Sequence, residues 1–276
     1  MKKSLGRLVL LLLVFLHVEI FASAYEWSAS ANKSEAYVGE AIHLKYTCKF
    51  SDRGELYIID LNPEGDYEEY TLHLLKKYDR IEDSKLYSNY EFIAVVKVAK
   101  KIVFDFDVIM KKTTKESIEN TVIGRDNKEY EDFTKKRVKL KPLHVEVKKS
   151  KSELVGDFKI DVKKDDLKIK AFAPYHMEVA ISGTGNMFAL KPLEFKIDGV
   201  KVFASKVSKN INLTEDGYSG TWSQQFAFVG SQSFEIKEVN IEYFSLLEKQ
   251  IKSLNLGTLH VEVKESYKKE DLLDEE

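Results

Sequence analysis

Asp105 and Asp107 stand two residues apart in the run Ile102-Val-Phe-Asp-Phe-Asp-Val108. An extended chain places both carboxylates on one face and Ile102, Phe104 and Phe106 on the other. Two carboxylates at that spacing supply oxygen ligands for a hard cation, and without one they form a solvated acidic face. Glu129, Glu131 and Asp132 add acidic groups in a polar stretch downstream. His144-x-Glu146 and His260-x-Glu262 each offer one imidazole and one carboxylate, short of a zinc ligand set. Gly183-Thr-Gly-Asn186 has neither the Gly-Lys-Ser/Thr of a phosphate loop nor the third glycine of a dinucleotide fingerprint, so it reads as a tight turn. Cys48 is the chain's only cysteine, and the alternation Leu44-x-Tyr46-x-Cys48-x-Phe50 puts it on the apolar face, where a thiol is inert. No Gly-x-Ser-x-Gly elbow, Cys-x-x-Cys pair or His-Glu-x-x-His helix occurs. These residues assign no catalytic group, cofactor or metal centre, and they favour binding over catalysis.

The elements that carry these residues are strands. Leu143-His-Val-Glu-Val-Lys-Lys-Ser150 returns as Leu259-His-Val-Glu-Val-Lys-Glu-Ser266, 116 positions later and with one difference. Its period of two belongs to a half-buried strand. Gly39–Thr47 matches Pro174–Ser182 at an offset of 135, so the first copy carries 135 − 116 = 19 additional residues, expected as a polar surface loop over 111–136. Strands are expected over 25–31, 41–50, 56–61, 70–78, 90–98 and 101–110, with 56–61 buried. Leu193–Ile197 and Val200–Phe203 around Asp198-Gly199 read as a hairpin. Short alternating strands separated by turn residues, with no helical period, predict an all-β chain of two tandem antiparallel β-sandwiches of immunoglobulin-like type. The expected domains are 25–149 and 150–266, followed by a charged tail over 267–276.

The 276 residues suffice for two ordinary domains, with 43% hydrophobic and 32% charged residues. A net charge of −2 without a basic stripe argues against nucleic-acid binding. Lys2, Lys3 and Arg7, the apolar run Leu8–Leu16 and Ala22-Ser-Ala24 compose a secretory signal over 1–24.

Several phrases, in order, resemble the BatD family of bacterial periplasmic oxygen-tolerance proteins. They are Tyr37-Val-Gly-Glu-Ala41, Ile181-Ser-Gly-Thr-Gly-Asn-Met187, Phe226-x-Phe-Val-Gly-Ser-Gln-Ser-Phe-Glu-Ile236, Val239-x-Ile-Glu-Tyr-Phe244 and Thr258-Leu-His-Val-Glu-Val263. Ala41 stands where the family often has proline, as do Lys237 and Glu238. The resemblance implies a non-enzymatic periplasmic scaffold that acts with von Willebrand A-domain envelope proteins and a MoxR-type ATPase. Such A domains commonly hold a divalent cation with an open coordination position, which a partner's carboxylate can fill. Asp105, Asp107, Glu129, Glu131 and Asp132 are the expected partner-binding residues. The alternative is a secreted adhesin-like or carbohydrate-binding sandwich.

Overall fold

The computed structural model describes residues 23–119 and 132–264. The expected tail, Glu129, Glu131 and all but the last two residues of the expected signal lie outside the described residues. No described helix is long and apolar enough to cross a membrane.

Alternating apolar residues build two tandem sandwiches. In the first, β1 (Tyr25–Ala31), β3 (Ala41–Phe50), β7 (Lys85–Val96), β6 (Tyr70–Glu82) and β5 (Gly65–Asp66) pair in the order β1-β3-β7-β6-β5. The facing layer comprises β2 (Glu35–Tyr37), β11 (Leu143–Lys148) and β8 (Lys101–Phe104), and beyond them β10 (Phe133–Lys139), β9 (Asp107–Thr113) and β4 (Tyr57–Asp60). The leading sheet has the A-B-E-D order of an immunoglobulin sandwich and the facing layer its C-F-G order. Ile42, Leu44, Tyr46 and Cys48 of β3 are fully buried between the layers, where each large side chain contributes about 1.5–3 kcal/mol by leaving water.

The second sandwich repeats this plan. β12 (Gly156–Lys164), β14 (Pro174–Gly185), β17 (Gly217–Gly230) and β15 (Val200–Ala204) form the first layer, and β16 (Ser208–Thr214) also pairs with β17. β13 (Lys168–Lys170), β21 (Leu259–Lys264) and β18 (Phe234–Ile236) face it, with β19 (Val239–Phe244) and β20 (Ile251–Leu256) beyond. The repeated phrase is β11 in one copy and β21 in the other. Each lies between a parallel three-residue strand (β2 or β13) and an antiparallel one (β8 or β18).

Five expectations are corrected, the last of them the burial of 56–61. The run 101–110 is two strands, because the chain passes from one facing sheet to the other at Asp105-Phe106. The polar insertion is narrower than 111–136: Lys111–Thr113 belongs to β9 and Phe133–Lys136 to β10, which pair with each other. The connection between those strands holds 19 residues, against six between β19 and β20. Gly183 and Gly185 are not a turn but lie within β14, opposite Gly220 and Gly156. A Cβ at Gly183 would run into the Asp157 carbonyl oxygen, so glycine there permits close strand approach. Leu193–Ile197 is extended but forms no ladder with Val200–Ala204, whose partner is β17. Of the two turn residues, only Gly199 has positive φ (74°), so the type I′ geometry of a tight hairpin is not formed. That geometry occurs instead at Asp83 and Ser84, with φ of 50° and 59°, where β6 turns into β7.

The strand expected over 56–61 forms as β4 but is only half-buried. Ile58 is 48% exposed, because β4 is an edge strand with its outer face open.

Candidate functional site

Of the predicted carboxylates, the three described ones, Asp105, Asp107 and Asp132, do not form one cluster. Asp107 lies on β9 and Asp105 in the break before it, each 41% exposed at the side chain. The Lys139 ammonium is 3.0 Å from Asp105 Oδ2, and the Arg137 guanidinium is 3.3 Å from Asp107 Oδ2. Each aspartate thus has its own cation on the adjacent strand. Asp105 supports the ammonium form of Lys139, whose pKa rises through their hydrogen bond and charge attraction. Asp132 sits about 20 Å further along, beyond the end of β9, taking the rise of an extended chain over six residues. Its backbone closes the root of the long connection: Thr114 N–H donates to the Asp132 carbonyl at 3.1 Å, and Asp132 N–H donates to Ser117 Oγ at 3.3 Å. Among the described residues, no group of three or more His, Cys, Asp or Glu could hold a metal ion.

Three connections instead converge at the outer end of the first sandwich. They are the loop 51–56 between β3 and β4, the Asp83-Ser84 turn, and the long connection between β9 and β10. Leu86 N–H donates to the Asp52 carbonyl at 2.9 Å, and Thr113 N–H donates to the Leu56 carbonyl at 2.9 Å, so the first loop is tied to β7 just past the turn and to the last residue of β9. That loop is itself set by an Asx turn, with Gly54 N–H donating to Asp52 Oδ1 at 2.8 Å. Gly54 has φ 62° and lies so close to the Phe50 ring that a Cβ would be 2.8 Å from it. Leu56 and Ile118, from two of the loops, are 44% and 47% exposed, and Ile81 beside the turn is 63% exposed. A shallow depression of about 500 Å³ opens between the loop and Lys112. Apolar side chains on loops tied to the neighbouring strands form a surface suited to a macromolecular partner. Sequence reasoning missed this end, because its loops come together only through the strand order. The excess length of the third connection was its one visible sign.

The opposite end of the first sandwich abuts the second. Glu91 on β7 is buried, with a side chain 4% exposed, on the sheet's outer face. It accepts from Tyr78 Oη at 2.9 Å and lies 3.0 Å from His43 Nε2 and 3.1 Å from Lys76 Nζ. Burial alone would raise its pKa. The hydrogen bonds from Tyr78 and Lys76, with the charges of Lys76 and His43, outweigh burial and hold the carboxyl below the usual range. Lys76 also donates to Glu215 of the second sandwich at 2.8 Å. Next to it, Tyr218 Oη and His73 Nε2 are 2.9 Å apart, and the Tyr37 and Phe244 rings are 4.5 Å apart.

Fold and loop arrangement define the class: a tandem immunoglobulin-like β-sandwich protein. No protein-family model matches the chain, and no curated protein matches it. Among solved structures it is similar to the mouse nectin-like molecule 4 full ectodomain (Ig1–Ig3), at 6% identity and a TM-score of 0.23, over 88% of this chain and 65% of that one. It is similar to FdeC, an Escherichia coli adhesin, at 10% identity and a TM-score of 0.21, over 88% and 65%. It is also similar to the Yersinia pseudotuberculosis adhesin InvE, at 7% identity and a TM-score of 0.23, over 83% and 58%. The chain spans less than two thirds of each.

Proposed function

We propose that the chain is an exported, non-enzymatic binding protein that engages a macromolecular partner through the outer loops of its first sandwich. The observation that carries this reading is the convergence of the loop 51–56, the Asp83-Ser84 turn and the described ends of the β9–β10 connection, bearing exposed Leu56 and Ile118, with that connection 13 residues longer than its counterpart in the second sandwich. A loop-end surface of this kind supports an adhesin-like role, with a surface protein or glycan as partner. The motif order shared with BatD supports a second reading, in which the compartment is the periplasm and the partner a von Willebrand A domain. The paired state of Asp105 and Asp107 then leaves Asp132 and the acidic residues before it as the carboxylate donors.

The test is binding of the mature protein to a panel of glycans, surface-protein ectodomains and von Willebrand A domains. It compares wild type, Leu56→Asp, Ile118→Asp and Asp132→Asn, with and without Mg²⁺. Loss of binding in the two apolar variants, without a change in melting temperature, supports the loop-end site. Magnesium dependence abolished by Asp132→Asn supports the A-domain reading. Binding that is indifferent to all three substitutions removes the site.

A further inference from the structure

In the first sandwich, β9 carries a full antiparallel ladder on each side: β10 on one and β4 on the other, from Tyr57↔Lys112 to Asp60↔Ile109. Its counterpart β19 has a ladder with β20 alone, and its other edge carries one isolated parallel bridge, from Phe244 to Val155. The segment that should occupy β4's place, Leu190–Ile197, runs beside β19 in the expected antiparallel sense. Leu190–Leu193 lies against Val239–Glu242, and Glu194–Asp198 against Phe234–Val239. Leu193, Phe195 and Ile197 pack into the core by alternation, as strand residues do. No backbone hydrogen bond joins this segment to β19; within it, Leu193 N–H goes to the side chain of Gln224 at 2.9 Å. Two grooves of about 520 and 420 Å³ follow one another along the seam and share Val239.

The free edge of β19 can be read residue by residue. Phe244 N–H donates to the Leu154 carbonyl at 2.8 Å and the Glu242 carbonyl accepts from Ser152 Oγ at 3.1 Å, so residues of this parity face away from β20. Asn240 shares that parity, and neither its backbone groups nor Glu242 N–H have a hydrogen-bond partner there among the described residues. Unpaired backbone at a sheet edge beside an apolar wall is a template for another strand. The groove carries six carboxylates (Glu153, Glu194, Asp198, Glu235, Glu238 and Glu242) against three lysines, which selects for positive charge. We propose that this seam is a β-augmentation site, in which an extended, lysine- or arginine-bearing segment of a partner protein lies along β19 and pairs with Asn240 and Glu242. The site is separate from the outer loops of the first sandwich and does not depend on them.

The experiment uses the whole mature chain and amide hydrogen exchange resolved to single residues. In the free protein, Asn240 and Glu242 exchange faster than the amides of β9 that β4 covers; equally slow exchange at all of them means the seam is closed and overturns the proposal. A short alternating lysine–valine peptide is then titrated. It binds saturably and protects Asn240 and Glu242. Affinity falls about tenfold or more for a peptide with a central proline and for one with glutamate in place of lysine. Glu242→Lys weakens binding, and Asn240→Pro, which removes an edge donor and the side-chain bond from Asn255 but no backbone hydrogen bond to β20, abolishes it. Binding that tolerates proline or the charge swap, survives both variants, or protects the outer loops instead overturns the proposal. Leu56→Asp leaves peptide binding unchanged, so failure here and failure of the loop-end reading are told apart.

Discussion

Replacing Glu91 by glutamine keeps the side-chain shape and deletes the charge on which Tyr78, His43 and Lys76 converge. Removing one partner of a fully buried ion pair costs about 3–5 kcal/mol. Here Lys45 and Lys76 are 43% and 44% exposed and regain water, so that figure is an upper limit. What remains is the loss of charge-assisted hydrogen bonding, about 1.5–3 kcal/mol, with the glutamine carbonyl still able to accept from Tyr78. The expected destabilisation of the first sandwich is therefore about 2 kcal/mol. The chain has two tryptophans, Trp27 in β1 and Trp222 in β17, one in each sandwich. In a Trp222→Phe background, the denaturant-dependent fluorescence of Trp27 reports the first sandwich alone. The pH dependence adds a second readout. A carboxyl whose folded pKa is depressed contributes stability that is present above its unfolded pKa and lost as pH falls through the folded value. Wild type should thus lose first-sandwich stability below about pH 4.5 more steeply than Glu91→Gln. A destabilisation below about 0.5 kcal/mol together with identical pH profiles would refute the reasoning.

Gly183→Ala forces a Cβ against the Asp157 carbonyl; it should cost the second sandwich about 2–4 kcal/mol, read from Trp222 fluorescence in a Trp27→Phe background. Cys48 is buried and its thiol is pushed up to about 12 by desolvation, so a disulfide reagent should label it at pH 8 only as fast as the first sandwich unfolds. Labelling of the folded protein within minutes would contradict this. Replacing residues 120–131 by a short Gly-Ser linker should shift the melting temperature by no more than a few degrees, since closure entropy varies slowly with length. Excising 111–136 should cost far more, because it removes the paired ends of β9 and β10.

What was legible in the sequence was whatever depends on a period of two. Ile42, Leu44 and Tyr46 fall inward as their alternation requires, and the repeated phrase takes the same place in each copy. The 19-residue offset also proved informative: the β9–β10 connection is 13 residues longer than its counterpart, and β9 and β10 are each one residue longer than β19 and β20, since an insertion can be partly absorbed by paired strands. Pairing partners were less legible. Asp198-Gly199 has the local chemistry of a hairpin, yet β17 captures Val200–Ala204 and leaves Leu193–Ile197 with the opposite layer. Asp83 and Ser84 adopt left-handed geometry without glycine because two long strands impose it. Glu91 alternates as an outward residue and does point outward. Its burial comes from neighbouring strands and from Lys76, which reaches the second sandwich through Glu215, a contact 139 residues away in the chain.

The parallel pairing of β2 with β11, repeated by β13 with β21, has a mechanical consequence. The second strand of each sandwich and its closing strand run in the same direction, so tension applied between the chain's ends slides them along one another. Their cross-strand hydrogen bonds then share the load and fail together, whereas a hairpin pulled open at one end loses its bonds singly. Each sandwich is wired to resist stretching along the axis on which the two are strung.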